Sequence, residues 1–390
     1  MIPLDASSAA QALSGVHRAT GTSAEEAYAR AVWSVLVEPG DGVAGALVSA
    51  YGAAEALRLA PEIDDPEVRK ARARWMPRLQ PSAVGAAIDA ARRCGASLVV
   101  PGDRDWPVRF DDLDAHAPIA LWRRGASAHA ESPAVALVGA RASTAYGEGV
   151  AADLAADLAA AGVAVVSGAA YGIDGACHRA ALSAGGATVA FLAGGVDRAY
   201  PRGHEGLLTR IAETGAVWSE TPCGAAPTKW RFLARNRLIA AMADAVVVVE
   251  AGWRSGSLNT AAHAATLGRA LGAVPGPVTS AASAGCHRVL REFDGVCVTS
   301  SADVLEMLGA ASPGPPAGEQ GRTDETTRLL DALSPRSGRS TDEVARRSGL
   351  APDEAAILLG FAELEGRVMR DDDGGWRTVG RDRSTRRRTG

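Results

Sequence analysis

From residue 134 to about 310, apolar runs of strand length alternate with segments whose apolar positions recur at helical spacing. The runs are Ala134–Val138, Val163–Val166, Ala187–Leu192, Ala216–Trp218, Ala245–Val249 and Leu271–Val274. Apart from Thr188, the runs at 134, 163, 187 and 245 carry no polar alternation, the pattern of strands covered on both faces. Between the first two, Val150, Leu154, Leu158 and Ala161 form one stripe that stops at Gly162. Strand and helix in turn over this length predict an α/β fold with a doubly wound, parallel, Rossmann-like sheet at residues 98–310.

The flanks read differently. Glu25 to Val37 has an apolar helical face, Pro39-Gly40-Asp41-Gly42 is a turn, and helices follow over Val43–Ala50 and Ala53–Ala60. With a further helix in the charged segment 61–80, residues 1–97 are expected to form a small helical N-terminal domain. From Leu98, Pro and Asp punctuate short apolar runs, an irregular strand-and-turn lead-in. Residues 311–323 are rich in Pro, Gly and small residues and read as a linker. Beyond it, 324–380 reads as a winged helix. Its first helix covers Glu325–Leu333, Ser340 and Glu343 form a capping-box pattern at the second, and Pro352 opens a third that ends at Gly366. A two-stranded wing follows about the turn Asp371–Gly375. The tail 381–390 is basic.

Composition narrows the function. With 41 basic and 45 acidic residues among 390, a net charge of −4, any polyanion must be held by a local patch. No run approaches the ~20 apolar residues of a membrane helix, and residues 1–15 lack a leader pattern, so a cytoplasmic chain with no membrane partner is expected. Cys94, Cys177, Cys223, Cys286 and Cys297 show no metal or disulfide spacing. No His, Asp and Glu cluster suggests a metal, and no Ser–His–Asp order suggests a hydrolase.

In a parallel sheet, ligands bind beyond the carboxyl ends of the strands, where helix N-termini offer free N–H groups. Those ends carry Gly139-Ala-Arg141-Ala-Ser143, Ser167-Gly168, Gly194-Gly195 and Glu250-Ala-Gly-Trp-Arg254-Ser-Gly-Ser257. Such loops suit phosphate, although tight strand-to-helix turns also select glycine. A dinucleotide fingerprint and a Walker lysine are both missing. Arg141 instead supplies a planar cation suited to a phosphodiester. The acid-free run 221–243 holds Lys229, Arg231, Arg235 and Arg237 with Trp230 and Phe232 among them. Cations beside aromatic faces are what unpaired polynucleotide needs; a solvated helix start with the rings in the core would give the same sequence. Asp174 and His178, four apart on a helix over 172–183, read either as an acid/base or ribose contact or as a cap and a satisfied core histidine. Asn259 and Thr260 could bond a ligand or cap the helix they open.

Taken in order, VGARASTAYG (138–147), VSGAAYGIDGACHRAAL (166–182), TVAFLAGGVDRAYP (188–201), WSETPCG (218–224), KWRFLARNRLIAAM (229–242), VVVEAGWRSGSLNTAAHAA (247–265) and VPGPV (274–278) resemble the DNA-processing protein A family, DprA/Smf. The resemblance is strong over 100–308 and looser at the flanks, where the family's attachments imply a SAM or helix-hairpin-like N-terminal domain and the winged helix. It implies a cytoplasmic, homodimeric, non-enzymatic protein without cofactor, metal or catalytic residues. Such a protein binds single-stranded DNA, protects incoming DNA in natural transformation, and helps load the RecA recombinase while displacing single-strand-binding protein. By motif, Arg141 and Lys229 would hold phosphates and Phe232 would meet a base. Gly139, Ser143, Ser167, Gly168, Arg235, Arg237 and Asn259 would complete the rim. Three departures stand out: Leu233-Ala234 where the family has Pro-x, Tyr171 where a cation is common, and LREFDGV at 290–296. The third helix of the winged domain carries Asp353, Glu354, Glu363 and Glu365 and no cation before Arg367, which predicts a protein contact or a weak accessory role rather than groove reading. Two other readings share this fold: a nucleotide-processing enzyme of phosphoribohydrolase type using Asp174, His178 and Glu250, and a nucleotide-ligand sensor. The phosphoribohydrolase Pro-Gly-Gly-x-Gly-Thr loop is missing.

Overall fold

The unbroken apolar runs form the middle of a nine-stranded sheet in a computed structural model, which describes residues 5–18, 20–126, 133–309, 325–371 and 373–379. The linker and the basic tail lie outside the described residues. The chain divides into two units, 1–312 and 313–390.

In the first unit the elements run α1 (Ala6–Ala12), α2 (Ala24–Leu36), α3 (Gly42–Tyr51), α4 (Ala53–Leu59), α5 (Pro66–Trp75), α6 (Pro81–Cys94) and β1 (Ser97–Val99). A 3-10 segment (Val108–His116) leads to β2 (Leu121–Gly125), β3 (Ala134–Gly139), α7 (Ala145–Ala160), β4 (Ala164–Ser167), α8 (Ile173–Ser183), β5 (Thr188–Phe191), α9 (Glu205–Thr214) and β6 (Ala216–Ser219). The unit ends with α10 (Lys229–Met242), β7 (Ala245–Glu250), α11 (Ser257–Thr266), β8 (Ala270–Ala273), α12 (Ala284–Glu292), β9 (Val296–Cys297) and α13 (Ser301–Met307).

The strand order is β1-β2-β6-β5-β4-β3-β7-β8-β9, and all pairings from β6 to β9 are parallel. Only β1 and β2 are antiparallel, closing one edge. Connections leave β3 in one direction and β7 in the other, so the order reverses between these two neighbours. A crevice opens beyond the carboxyl ends of strands at such a reversal. Strands β3 to β7 are buried on both faces, as their composition requires.

The expected boundary at residue 97 is not a boundary between packed units. Ala9, Leu13, Val16, Tyr28 and Val32 share one buried cluster with Leu98, Trp122, Leu207 and Val217, so α1, α2 and α6 pack directly on the antiparallel edge of the sheet. A second N-terminal cluster, with Trp33 and Trp75 edge to face at 5.3 Å, unites α2 to α5.

The second unit holds α14 (Glu325–Asp331), α15 (Thr341–Ser348), α16 (Pro352–Leu364), β10 (Val368–Arg370) and β11 (Trp376–Thr378). Ser340 accepts from the Glu343 N–H and starts α15, Pro352 starts α16, and β10 pairs antiparallel with β11. Leu329, Val344, Leu359 and Trp376 form its core. This is a winged helix.

Candidate nucleic-acid interface

The crevice at the reversal holds a cavity of about 840 Å3. Its walls come from the ends of the two strands that part there. Gly139 ends β3, and Ala140, Arg141 and Ala142 follow it; after β7 come Gly252, Arg254, Ser255 and Gly256, with Ser257 opening α11. The first turns of α10 supply Lys229, Phe232 and Leu233, and Arg235 and Asn236 follow on the same helix. Thr228 caps α10, accepting from the Arg231 N–H, while no side chain caps α11. Two helix N-termini, partial positive poles, thus border the cavity.

Arg141 and Lys229 line this one cavity and are exposed at it. The Arg141 guanidinium lies over the Phe232 ring, 4.5 Å from its centroid, and the Tyr200 ring is 5.3 Å from Phe232 at a tilt of 54°. Cation and aromatic surface therefore share one wall of the crevice. Among the described residues, no ion pair engages Arg141, Lys229 or Arg254. Three exposed cations without carboxylate partners line the crevice and are available to an anion.

The other cations of α10 are spent inside the protein. Arg231 pairs with Glu38 at 2.8 Å. Arg237, buried, pairs with Glu220 at 2.7 Å and donates to the His116 carbonyl at 2.9 Å; it is no part of the cavity. Arg235 does reach the cavity, but as floor rather than rim. It is buried and donates to the Phe191 carbonyl at 2.6 Å. Burial lowers its pKa to about 10, opposed by the charge of Asp174 and reinforced by that of Arg141, so it remains a cation at neutral pH. Gly168 is glycine because a Cβ there would collide with the Arg235 guanidinium.

The remaining expected rim residues divide likewise. Gly139 is on the wall, where a Cβ would press on Ile173 Cγ1 at 2.6 Å. Ser167 is fully buried and its hydroxyl donates to the Leu137 carbonyl at 2.7 Å. Ser143 donates to Glu148 at 2.7 Å, and Asn259 accepts from Asn236 at 3.3 Å. Ser143, Ser167, Gly168, Arg237 and Asn259 do not line the cavity. Trp230 turns to a different groove, beside Glu38, Tyr51 and His116.

Arg254 and Tyr200 are cavity residues that the motif reasoning left out of the rim. Arg254 had a signal: it follows β7, the neighbour of β3 at the reversal. Tyr200 comes from the long loop after β5, where spacing carries no such information.

The acid/base candidates do not converge. Asp174 lines the cavity floor, its carboxyl accepting from the Ala170 N–H at 3.3 Å; burial raises its pKa against the pull of Arg235. His178 is fully buried outside the cavity. Thr188 spends its hydroxyl proton on the Val165 carbonyl, so His178 Nδ1–H donates to Thr188 Oγ1 at 2.7 Å. His178 Nε2 then has no partner, and burial lowers the imidazole pKa to about 3. Glu250 holds the turn into α7, accepting from the Thr144 N–H at 3.0 Å. Among the described residues no His, Cys, Asp and Glu group could hold a metal, and no helix is long and apolar enough to cross a membrane.

Fold and site together define a Rossmann-like protein with a cationic, aromatic-lined cavity at the strand reversal and a winged helix as a second unit. The chain belongs to the DNA recombination-mediator protein A family, DprA/Smf: that family's model matches residues 97–309, and the DprA winged helix domain matches 313–374. A relative from Mycobacterium tuberculosis H37Rv that carries the DprA name is 46% identical over 310 residues, 75% of this chain and 79% of the relative. The crystal structure of DNA processing protein A from Streptococcus pneumoniae matches with a TM-score of 0.60 at 30% identity, covering 72% of this chain and 97% of that one. A Helicobacter pylori DNA processing protein A structure, described for its single-stranded DNA binding mode, matches at a TM-score of 0.50 and 28% identity, over 55% of this chain and 95% of that one.

Proposed function

We propose that this chain binds single-stranded DNA in the cavity at the β3/β7 reversal, and does so without cutting it. The observation that carries this reading is the convergence of Arg141, Lys229 and Arg254 with the Phe232 and Tyr200 rings in one 840 Å3 crevice. Phosphates engage the three unpaired cations and the two helix N-termini, while unpaired bases meet the rings. A duplex keeps its base faces stacked inside and gains only the phosphate contacts. A mediator must hold many sequences alike, and a π-face is common to every base. The single carboxylate on the cavity wall, Asp174, has no acid/base partner there, which supports a binder over a phosphoribohydrolase.

We further propose a cytoplasmic homodimer that protects incoming DNA in transformation and helps load RecA in place of single-strand-binding protein; the family's recombination-mediator description and the Helicobacter pylori relative's single-stranded DNA binding mode support the DNA-binding part of this reading. On the winged helix, Ile357, Phe361 and Leu364 are exposed at i, i+4 and i+7 between acidic residues, which favours a protein contact there over a DNA groove.

The test is fluorescence anisotropy with Arg141→Ala and Lys229→Ala on several oligonucleotide sequences. Each variant weakens binding about tenfold or more at low salt, whatever the sequence, since charge-assisted bonds are worth roughly 1.5–3 kcal/mol. Two variants that bind like the unaltered protein overturn the cavity assignment. Free nucleotides serve as competitors; tighter binding of a mononucleotide than of an oligonucleotide would point to a sensor.

A further inference from the structure

The loop after β7 places two of its residues, Gly252 and Arg254, on the cavity wall, and the residue between them is a tryptophan. Trp253 does not line the cavity and is 56% exposed. Arg288 of α12 lies over its ring, 4.7 Å from the centroid. That guanidinium is held in turn: Nη1 donates to the Trp253 carbonyl at 3.4 Å, and Nε donates to Glu292 at 3.0 Å, with Nη2 2.9 Å from the same carboxylate. The indole is thus braced by a clamped arginine, while the residue is more than half exposed, one position from a free cation on the cavity wall.

Resting on the single-stranded DNA reading, we propose that Trp253 is a stacking platform for an unpaired base of the strand as it leaves the cavity past Arg254. A braced indole loses little rotamer freedom when a base settles on it, and Trp offers the largest flat face of any side chain. Because Glu292 balances Arg288, the platform binds through ring contact and adds no counterion release.

The experiment compares the full chain and its Trp253→Ala and Trp253→Phe variants on oligothymidylates of about 4 to 16 nucleotides, the span of site sizes of single-strand binding modules. The alanine variant leaves the shortest ligands unaffected and weakens the longer ones about 5- to 150-fold, the value of one stacked base. Its salt slope stays that of the unaltered protein, and phenylalanine restores part of the loss. Thermal melting of both variants stays at the parent value, as expected for an exposed ring. If the unaltered protein binds long oligonucleotides and the alanine variant binds them equally well, the platform is wrong and the cavity reading stands. An equal loss at all lengths, or a changed salt slope, also overturns the platform, because the loop and Arg254 would then have been disturbed. If the unaltered protein binds no oligonucleotide at any length, the underlying reading fails and the platform with it.

Discussion

Replacing Arg237 with leucine separates a structural cation from a DNA-binding one. Arg237 is 5% exposed and its partner Glu220 9%. Nη2 reaches the two carboxylate oxygens at 2.7 and 2.9 Å, Nε donates to the His116 carbonyl at 2.9 Å, and Glu220 also accepts from the Gly40 N–H at 3.1 Å. One guanidinium therefore ties α10 to the loop after β6 and to the chain before β2. Leucine removes the charge and leaves a buried carboxylate without its counterion, a loss of about 3–5 kcal/mol. That is a large share of the ~5–15 kcal/mol that holds a folded domain. Urea unfolding followed by tryptophan fluorescence should show the midpoint of the larger unit falling accordingly. Arg237→Leu combined with Glu220→Leu should recover much of the loss, since an apolar pair of similar volume often replaces a buried ion pair at little cost. Below its melting range the single variant should bind single-stranded DNA with the parent salt slope, because Arg237 lies outside the cavity. A variant as stable as the parent, or one that stays folded but shows a flattened slope, would refute this reasoning.

Gly168→Ala should be more damaging than its size suggests, since the added methyl must displace the buried Arg235 guanidinium; a melting temperature and DNA affinity both at the parent value would contradict the packing described. Stability should fall with acid through His178. Its folded pKa of about 3 lies below the ordinary 6.5, so the unfolded chain takes up the proton first, and the contribution present above pH 6.5 is lost as the pH drops toward 3. His178→Gln should flatten that part of the pH–stability curve measured by urea titration; an unchanged curve would show that the imidazole does not govern it. Incubation with a panel of nucleoside monophosphates should release no free base by chromatography, and release that depends on Asp174 would move the protein to the enzyme class.

The centre of the sheet was legible because strands covered on both faces must be apolar throughout, and all six such runs are strands. The edges were not. β1 and β9 are two or three residues long, and β2 carries Arg123 and Arg124, so neither length nor pattern marks them. The N-terminal helices were readable as helices, but their apolar faces do not say what they cover, and part of what they cover is the sheet edge. At the site, loop composition located Arg141, and the cation–aromatic run located Lys229 and Phe232. Charge alone did not sort the cations of α10; helical geometry does. Lys229, Phe232, Asn236 and Ile239 fall on one stripe and line the cavity, whereas Trp230 and Arg237, seven apart, lie on another face. Arg235 escaped even that argument, because its side chain is drawn under the loop at Gly168 by the Phe191 carbonyl.

The most direct measurement is anisotropy of the unaltered protein on matched single- and double-stranded oligonucleotides across a salt series. Three free cations at about 0.7 counterions each predict a slope of log affinity against log salt near −2 for the single strand, with the duplex bound more weakly at every salt concentration. Equal or tighter duplex binding, or single-strand affinity indifferent to salt, would contradict a cavity that grips unpaired DNA through Arg141, Lys229 and Arg254.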